Sequence, residues 1–272
     1  MCNYSLKLCF ANSSMYNELL LYINQLRGIP MKLQRLLSLV RQAIDDYRLI
    51  NEGDSIAVGV SGGKDSLTLL TALYHLQQFY PKHFTIHALT VHTGFSGFDL
   101  SPIQLFCNER SIPYTIVETS IAQIVFYERH EDNPCALCSK LRKGAFNQEA
   151  LKLGCNKIAY AHHRDDLINT LFMSMMYEGN IHTFSPKTDL ERTGLTLIRP
   201  LIYVQEADII GFMNKYPLPV CKNPCPVDKK TSREYVNNLT KQLNRELPGV
   251  KDRIFHGIIQ AEFGDWPKRN DK

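Results

Sequence analysis

Residues 55–66 read SIAVGVSGGKDS, an apolar run that passes directly into a loop with two adjacent glycines. The run is typical of a buried strand, and residues 66–79 have the apolar spacing of a helix. A glycine pair lets the backbone turn sharply and lets a ligand approach it without obstruction from side chains. The stretch therefore predicts a strand, a tight turn and a helix whose N-terminus can meet a ligand.

Four further apolar runs are predicted strands, and helical patterns lie between them. The runs are residues 84–91, 113–118, 157–161 and the weaker 196–201, and the helical patterns are 101–110, 138–153 and 165–177. Strands and helices in alternation predict parallel strands joined by crossovers, with helices on both faces of the sheet. We therefore expect an α/β, Rossmann-like fold with an open, mainly parallel sheet of five strands. Its ligands should lie beyond the carboxyl ends of these strands.

The chain divides into three predicted parts. Residues 1–30 lack a clean period, so they are either an N-terminal extension ahead of a natural start at Met31 or an extra helix over the core. Residues 31–215 form the predicted catalytic domain, which opens with helical spacing up to Tyr47. Residues 216–272 form a predicted C-terminal helical segment that is rich in cations.

Composition narrows the class of protein. Apolar residues make up 44% and charged residues 21% of the chain, as in an ordinary globular protein. No apolar run approaches the roughly 20 residues of a membrane-spanning helix, and residues 1–10 do not resemble a signal peptide, so we expect a cytoplasmic protein. The net charge of +4 permits nucleic-acid binding without arguing for it. Eight cysteines in such a protein favour metal or redox chemistry over a disulfide framework.

The glycine loop after the first strand has the chemistry of a phosphate site. It consists of Ser61, Gly62, Gly63, Lys64, Asp65 and Ser66. Its N–H groups lie at a predicted helix N-terminus, where the helix dipole and unpaired donors favour an anion. Its spacing is neither that of a Walker A loop nor that of a dinucleotide-binding loop. The string resembles the SGGxDS signature of the PP-loop ATP pyrophosphatases. That resemblance implies that the loop holds pyrophosphate and that ATP is split between its α and β phosphates.

A His-Asp stretch, AHHRDD at residues 161–166, follows the predicted fourth strand. Because parallel strands end at the same edge of a sheet, we expect this stretch beside the glycine loop. Asp165 and Asp166 suit Mg²⁺ at a triphosphate, and His163 or Arg164 suits the charge on the phosphates. The alternative is structural, because an N-cap and first-turn acids give the same pattern. A similar stretch is a second mark of the PP-loop family, which favours the functional interpretation.

Cys135 and Cys138 form a C-x-x-C at the predicted start of a helix, with three cations at residues 140–143. A helix N-terminus and nearby cations should lower the pKa of these thiols. Alone, the pair is equally consistent with half of a zinc site, a redox pair or a coincidence. Cys221 and Cys225 form a C-x-x-x-C, whose spacing does not match the second half of a zinc ribbon.

Five ordered motifs together resemble the TtcA family, the tRNA 2-thiocytidine synthetases. They are the glycine loop, the C-x-x-C stretch at 135–144, the His-Asp stretch, residues 199–201 (RPL) and residues 225–228 (CPVD). In that family the two cysteines of the C-x-x-C and one later cysteine hold a [4Fe–4S] cluster. The resemblance implies Cys135, Cys138 and Cys225 as ligands, with Cys221 as the competitor for the third place.

The resemblance also implies a reaction and its partners. ATP, with Mg²⁺ at its phosphates, would adenylate the C2 oxygen of a cytidine in tRNA, and sulfur would then displace AMP. The implied catalytic residues are Lys64, Asp65, Cys135, Cys138, His163 and Asp166, and Asp165 would join the glycine loop in binding the nucleotide and its metal. A sulfur donor such as a cysteine desulfurase, and a second copy of the chain in a homodimer, are the implied protein partners.

Three alternative interpretations stay open. Another PP-loop enzyme, such as a lysidine synthetase, would share the adenylation step but would not need the three cysteines. The uridine-thiolating relatives resemble this core and add zinc ribbons at both ends. A catalytically silent module that binds zinc and RNA belongs to a different class, and it would release no pyrophosphate when ATP and RNA are added.

Overall fold

A six-stranded sheet organises the fold in the computed structural model, which describes residues 31–129, 134–222, 224–225, 232–261 and 266. The predicted extension at residues 1–30 lies outside the described residues. The strands are β1 (Asp54–Gly59), β2 (Phe84–His92), β3 (Tyr114–Glu118), β4 (Lys157–Ala159), β5 (Lys187–Leu190) and β6 (Leu195–Ile198).

Nine helical elements surround this sheet within the described ranges. They are α1 (Met31–Asp46), α2 (Lys64–Leu76), α3 (Ser101–Asn108), α4 (Ile121–Gln123), α5 (Pro134–Lys152), α6 (Arg164–Met173), α7 (Glu206–Met213), α8 (Ser232–Glu246) and α9 (Val250–Gln260). Helices α4 and α6 continue as π-helical turns at Ile124–Glu128 and Ser174–Glu178. None of these described helices combines the length and the apolar character needed to cross a membrane. The division of the chain into three parts stays a prediction.

The sheet order is β3-β2-β1-β4-β6-β5, and every neighbouring pair is parallel except β5 with β6. The predicted Rossmann-like, mainly parallel sheet is confirmed, but the expected number of five strands is wrong. The additional strand is β5, which forms an antiparallel hairpin with β6 at the edge of the sheet. Its sequence, KTDL, is mostly polar because an edge strand is only partly covered, so no apolar run marked it.

Both faces of the sheet are covered, as the sequence predicted. Ile56 and Val58 of β1 pack into a core with helices α1, α2 and α7, whereas Ala57 between them packs on the opposite face with Phe146 of α5. Successive side chains of a strand point to opposite faces, so a strand buried on both sides is apolar throughout. This explains why the sequence of β1 is a nearly continuous apolar run.

The strand order reverses at β1, with β2 on one side and β4 on the other. In open α/β sheets the loops at such a point diverge and leave a crevice for a ligand. The loops concerned are the glycine loop after β1 and the His-Asp stretch after β4. The topology thus brings together two motifs that lie about 100 residues apart in sequence.

Candidate nucleotide and thiol site

The glycine loop is held in shape by its own hydrogen bonds. The Ser66 hydroxyl accepts a hydrogen bond from the Ser61 N–H at 3.1 Å and donates one to the Gly63 carbonyl at 3.0 Å. Gly62 has φ of +82°, in the left-handed region, and an added Cβ would lie 3.2 Å from the Cβ of Cys221. Both the backbone conformation and the limited space therefore favour glycine at this position. Helix α2 begins directly after the loop, with Gly63 as its N-cap.

A cavity of about 370 Å³ opens at the carboxyl ends of β1, β2 and β4. Its polar lining comes from the glycine loop, the His-Asp stretch and helices α5 and α8. The polar side chains are Ser61, Asp65, Ser66, Ser139, Arg142, Lys143, His162, Asp166 and Arg233. The apolar wall includes Leu89, Val91 and Tyr160, and Gly59 leaves room for that ring, because an added Cβ would lie 3.1 Å from it. The cavity joins the glycine loop to the helix that carries the C-x-x-C.

Lys64 is not among the residues that line this cavity. Its Nζ lies 2.8 Å from Oδ1 of Asp65 and 3.3 Å from Oε1 of Glu206, and Nζ of Lys241 lies 3.0 Å from Oε2 of Glu206. Burial works against the charge, but Asp65 and Glu206 leave the pKa of Lys64 raised. Lys64 therefore stays charged and holds the Asp65 carboxylate at the edge of the cavity.

His163 and Asp166 form a reciprocal cap at the start of α6. The Asp166 carboxylate accepts a hydrogen bond from the His163 N–H at 3.1 Å, and His163 Nδ1 accepts one from the Asp166 N–H at 3.4 Å. His163 Nε2 also lies 3.8 Å from Oδ1 of Asp65. The buried His163 ring thus stands between the two carboxylates that line the cavity, those of Asp65 and Asp166.

Asp165 has a structural position and is not among the cavity-lining residues. Its Oδ1 lies 2.7 Å from Nζ of Lys251 in α9, and its Oδ2 accepts a hydrogen bond from the Glu206 N–H at 2.7 Å. Burial raises the pKa of Asp165, but the hydrogen bonds from Lys251 and the Glu206 N–H lower it by a larger amount. The net result is a lowered pKa. Because successive helix residues point about 100° apart, Asp165 and Asp166 reach different surroundings. The predicted contact of Asp165 with the nucleotide stays a prediction.

His162 lines the cavity, a role that the sequence did not assign to it. Its ring contacts Phe184, and its Nδ1 accepts a hydrogen bond from Nε of Arg199 at 3.4 Å. Burial, helped by the positive charges of Arg199 and Arg233, lowers the pKa of His162 to about 3. The ring is therefore neutral at physiological pH and acts as a hydrogen-bonding group.

Arg142, Lys143 and Arg233 line the same cavity and were not assigned to it from the sequence either. The sequence did contain a pattern that indicates the place of Arg142 and Lys143, the two residues on α5. Ser139, Arg142, Lys143 and Phe146 recur at the spacing of one helix face, and all four line the cavity. The place of Arg233 depends on how α8 packs, which no local pattern shows.

Cys138 is partly buried, and Cys135 and Cys225 are close enough to influence it electrostatically. Burial raises the pKa of Cys138, Arg142 lowers it in part, and repulsion from the negative charges of Cys225 and Cys135 adds to the rise. The expected lowering of the pKa is therefore wrong for Cys138, because burial outweighs the nearby cation. Cys221 lies elsewhere: its N–H donates to the Gly62 carbonyl at 2.9 Å, and burial and the charge of Asp99 raise its pKa.

Cys135, Cys138 and Cys225 influence one another electrostatically, and three cysteine thiols are the donor set of an iron–sulfur cluster. Among the described residues, no three His, Cys, Asp or Glu side chains are close enough to ligate one ion. In a four-iron cluster each cysteine ligates a different iron, so the sulfurs stand farther apart than the ligands of one ion. Cys221 contacts the glycine loop, and Ser139, the residue after Cys138, lines the cavity.

The fold and this site together define a PP-loop protein, and a model of the PP-loop domain family matches residues 32–243. Two relatives are more specific. The chain is 34% identical over 237 residues to the tRNA-cytidine(32) 2-sulfurtransferase of Pelobacter propionicus, covering 86% of this chain and 88% of that protein. It is 38% identical over 227 residues to the enzyme of the same name from Legionella pneumophila, covering 83% and 80%. The chain therefore belongs to the family of the tRNA-cytidine(32) 2-sulfurtransferases, which confirms the resemblance seen in its motifs.

A solved structure shares the fold. The U34-tRNA thiolase NcsA from Methanococcus maripaludis, solved with its [4Fe-4S] cluster, gives a TM-score of 0.70 over 85% of this chain and 78% of that chain. The two sequences are 23% identical, so the likeness establishes a common architecture.

Proposed function

We propose that this protein uses ATP to activate the C2 oxygen of a cytidine in tRNA and then replaces that oxygen with sulfur. The observation that supports it best is the shared cavity, because the glycine loop and the helix that carries Cys135 and Cys138 line the same space. Membership of the family supplies the substrate class. An enzyme that only adenylated its substrate would not need two thiols on a helix that lines its nucleotide cavity.

The triphosphate of ATP would lie on the N–H groups at the start of α2, where an anion is favoured. Arg142, Lys143 and Arg233 would balance its charge across the cavity, and the apolar wall would accept the adenine. Mg²⁺ would be held by Asp65 and Asp166, the two carboxylates that line the cavity. Lys64 and His163 would position these carboxylates, since both contact Asp65.

The chemistry proceeds in two displacements. The C2 oxygen of cytidine bonds to the α-phosphorus of ATP while the bond to the β-phosphate oxygen breaks, which releases pyrophosphate. Sulfur at the oxidation level of sulfide then bonds to C2, and the C2–O bond breaks to release AMP. The protein contributes position and charge to the first step, through the cations of α5 and the amides of the glycine loop. A base in a tRNA loop reaches the cavity more easily than one stacked in a duplex.

Cys135, Cys138 and Cys225 would hold a [4Fe–4S] cluster, which when bound supplies an iron that carries the incoming sulfur. The position of Cys225 near Cys138 supports it as the third ligand over Cys221, which lies against the glycine loop on the side of Asp99. A cysteine desulfurase is the proposed sulfur donor, and a homodimer is the proposed assembly. Because tRNA is the substrate, we place the reaction in the cytoplasm.

Cys138→Ser and Cys221→Ser form a matched pair of variants for testing the proposal. After anaerobic reconstitution with iron and sulfide, each protein is incubated with tRNA, ATP and Mg²⁺, and 2-thiocytidine is measured by mass analysis of the nucleosides. Cys138→Ser should lose thiolation at least about 100-fold, because a loss of this size is expected when a group that takes part in the reaction is removed. Its ATP affinity should match wild type. Cys221→Ser should keep most of its thiolation.

Each result separates two interpretations. Full thiolation by Cys138→Ser would exclude a part for this thiol in the sulfur step. If Cys138→Ser lost ATP affinity as strongly as it lost thiolation, the Cys138 thiol would have a structural role. A wild-type protein that releases no pyrophosphate with ATP and tRNA would be a binding module.

A further inference from the structure

A second concavity lies on the C-terminal helices, apart from the catalytic cavity. It has a volume of about 640 Å³ and is formed by α8 and the first turn of α9. Its lining combines three cations, Lys241, Arg245 and Lys251, with three amide side chains and the ring of Tyr235. Among the described residues that line it there is no acid. We call this concavity the basic groove.

The groove-lining stripe of α8 is separate from the stripe that packs against the protein. Tyr235, Asn238, Gln242 and Arg245 recur every three or four residues and therefore share one face of the helix. Val236 and Thr240 lie on another face, where both are buried and the Thr240 hydroxyl donates to Asn169 of α6 at 2.8 Å. Tyr235 is 59% exposed, although it is a large ring. The exposed stripe thus serves no packing contact with α6.

The basic groove is connected to the catalytic cavity along the same helix. Arg233, in the first turn of α8, lines the catalytic cavity, and Arg245 lines the groove about 18 Å farther on, from the rise of a helix. Lys241 is linked to Lys64 of the glycine loop through Glu206, whose carboxylate both lysines contact. A chain that lies along α8 would therefore run from the groove into the cavity.

We propose that the basic groove binds the phosphate backbone of the RNA substrate and leads it to the catalytic cavity; this inference rests on the proposed function. Cations and amide side chains are the usual partners of phosphate and sugar oxygens, and an exposed ring beside them offers a stacking surface for a base. An acidic protein would satisfy the cations but would leave the ring without a specific role, so the lining favours RNA. Lys241 and Lys251 share their charges with Glu206 and Asp165, so Arg245 should contribute most to binding.

Arg245→Glu and Arg192→Glu test this proposal with the same change of charge. Arg192 is exposed on the turn between β5 and β6 and has no part in the groove. The affinity for unmodified tRNA is measured by fluorescence anisotropy at several salt concentrations. Arg245→Glu should weaken binding about tenfold or more and lower the salt slope by about 1, as the loss of one phosphate contact predicts. Arg192→Glu should bind like wild type.

Tyr235→Ala supplies a second test that does not depend on charge. Loss of a stacking ring should weaken tRNA binding about fivefold with little change in the salt slope. ATP affinity and the thermal unfolding midpoint should match wild type in all three variants, because these side chains are exposed.

Equal tRNA affinity and salt dependence in Arg245→Glu and Arg192→Glu would overturn the groove assignment. Normal tRNA binding by Arg245→Glu together with slower sulfur transfer from a cysteine desulfurase would assign the groove to a protein partner, which also overturns it. A failure of the proposed function would give a different result. In that case the wild-type protein would bind tRNA through the groove but form no 2-thiocytidine.

Discussion

The glycine loop and the His-Asp stretch follow neighbouring parallel strands, yet they are built in opposite ways. The hydrogen bonds of the glycine loop join residues of the same six-residue segment, namely Ser61, Gly63 and Ser66. The His-Asp stretch instead distributes its side chains: His162 and Asp166 line the cavity, whereas Asp165 anchors α9. A locally closed motif therefore keeps its chemistry together, while polar neighbours that enter a helix are separated by its rotation.

Asp165→Asn should give the largest effect, and it should be an effect on stability. The substitution leaves Lys251 without its charge partner and weakens the acceptor for the Glu206 N–H, in a buried setting. Breaking such a pair costs about 3 kcal/mol of unfolding free energy, at the lower end of the range for buried ion pairs. Chemical denaturation at neutral pH measures this loss. Because the folded pKa of Asp165 is lowered from 3.8, its contribution is present above that value and disappears as the pH falls below it.

Asp166→Asn is the matched control, since it makes the same change one residue later. It should lower ATP-dependent pyrophosphate release about 100-fold, as expected for a lost ligand of the catalytic metal. Its stability should change by less than about 1 kcal/mol, because the amide oxygen can still accept from the His163 N–H. If Asp165→Asn were the variant that lost activity while keeping its stability, the two carboxylates would have to exchange roles.

The same contrast explains how much could be predicted from the sequence. The glycine loop could be predicted from the sequence because its geometry depends on adjacent residues. The apolar strands could be predicted because they are buried on both faces of the sheet. The role of Asp165 could not be predicted from the sequence, because its partner Lys251 is 86 residues away. Strand β5 was missed because an edge strand carries polar residues, and the pKa of Cys138 was misjudged because its burial depends on tertiary packing.

Gly62→Ala should give an intermediate effect, and it should fall on ATP binding. A φ of +82° costs an alanine roughly 1–2 kcal/mol, and its Cβ would press on Cys221 at 3.2 Å. If the loop relieves this strain by changing shape, its N–H groups no longer converge on the phosphates, and the dissociation constant of ATP should rise about tenfold. Isothermal titration calorimetry with a non-hydrolysable ATP analogue measures it.

Gly194→Ala is the control for backbone strain, because Gly194 has φ of +70° and nothing within 4 Å of an added Cβ. It lies on the turn between β5 and β6, so its cost should appear in stability and leave ATP affinity unchanged. Equal ATP affinities for Gly62→Ala and wild type would show that the loop is not preorganised by its own hydrogen bonds.

The smallest expected effect concerns His162, whose imidazole ring should not titrate between pH 5 and 8. Burial and the charge of Arg199 lower its pKa to about 3, so the ring is already neutral at the lower end of this range. Since Nδ1 accepts from Arg199, the proton lies on Nε2. Ring ¹⁵N NMR should show an unprotonated Nδ1 throughout, with His162→Gln identifying the signal by its loss. A midpoint near pH 6 would mean that the His-Asp stretch brings a switchable cation to the phosphates. A flat response would mean that the cations of the cavity come from helices α5 and α8, and that the stretch contributes a neutral hydrogen-bonding ring and one carboxylate.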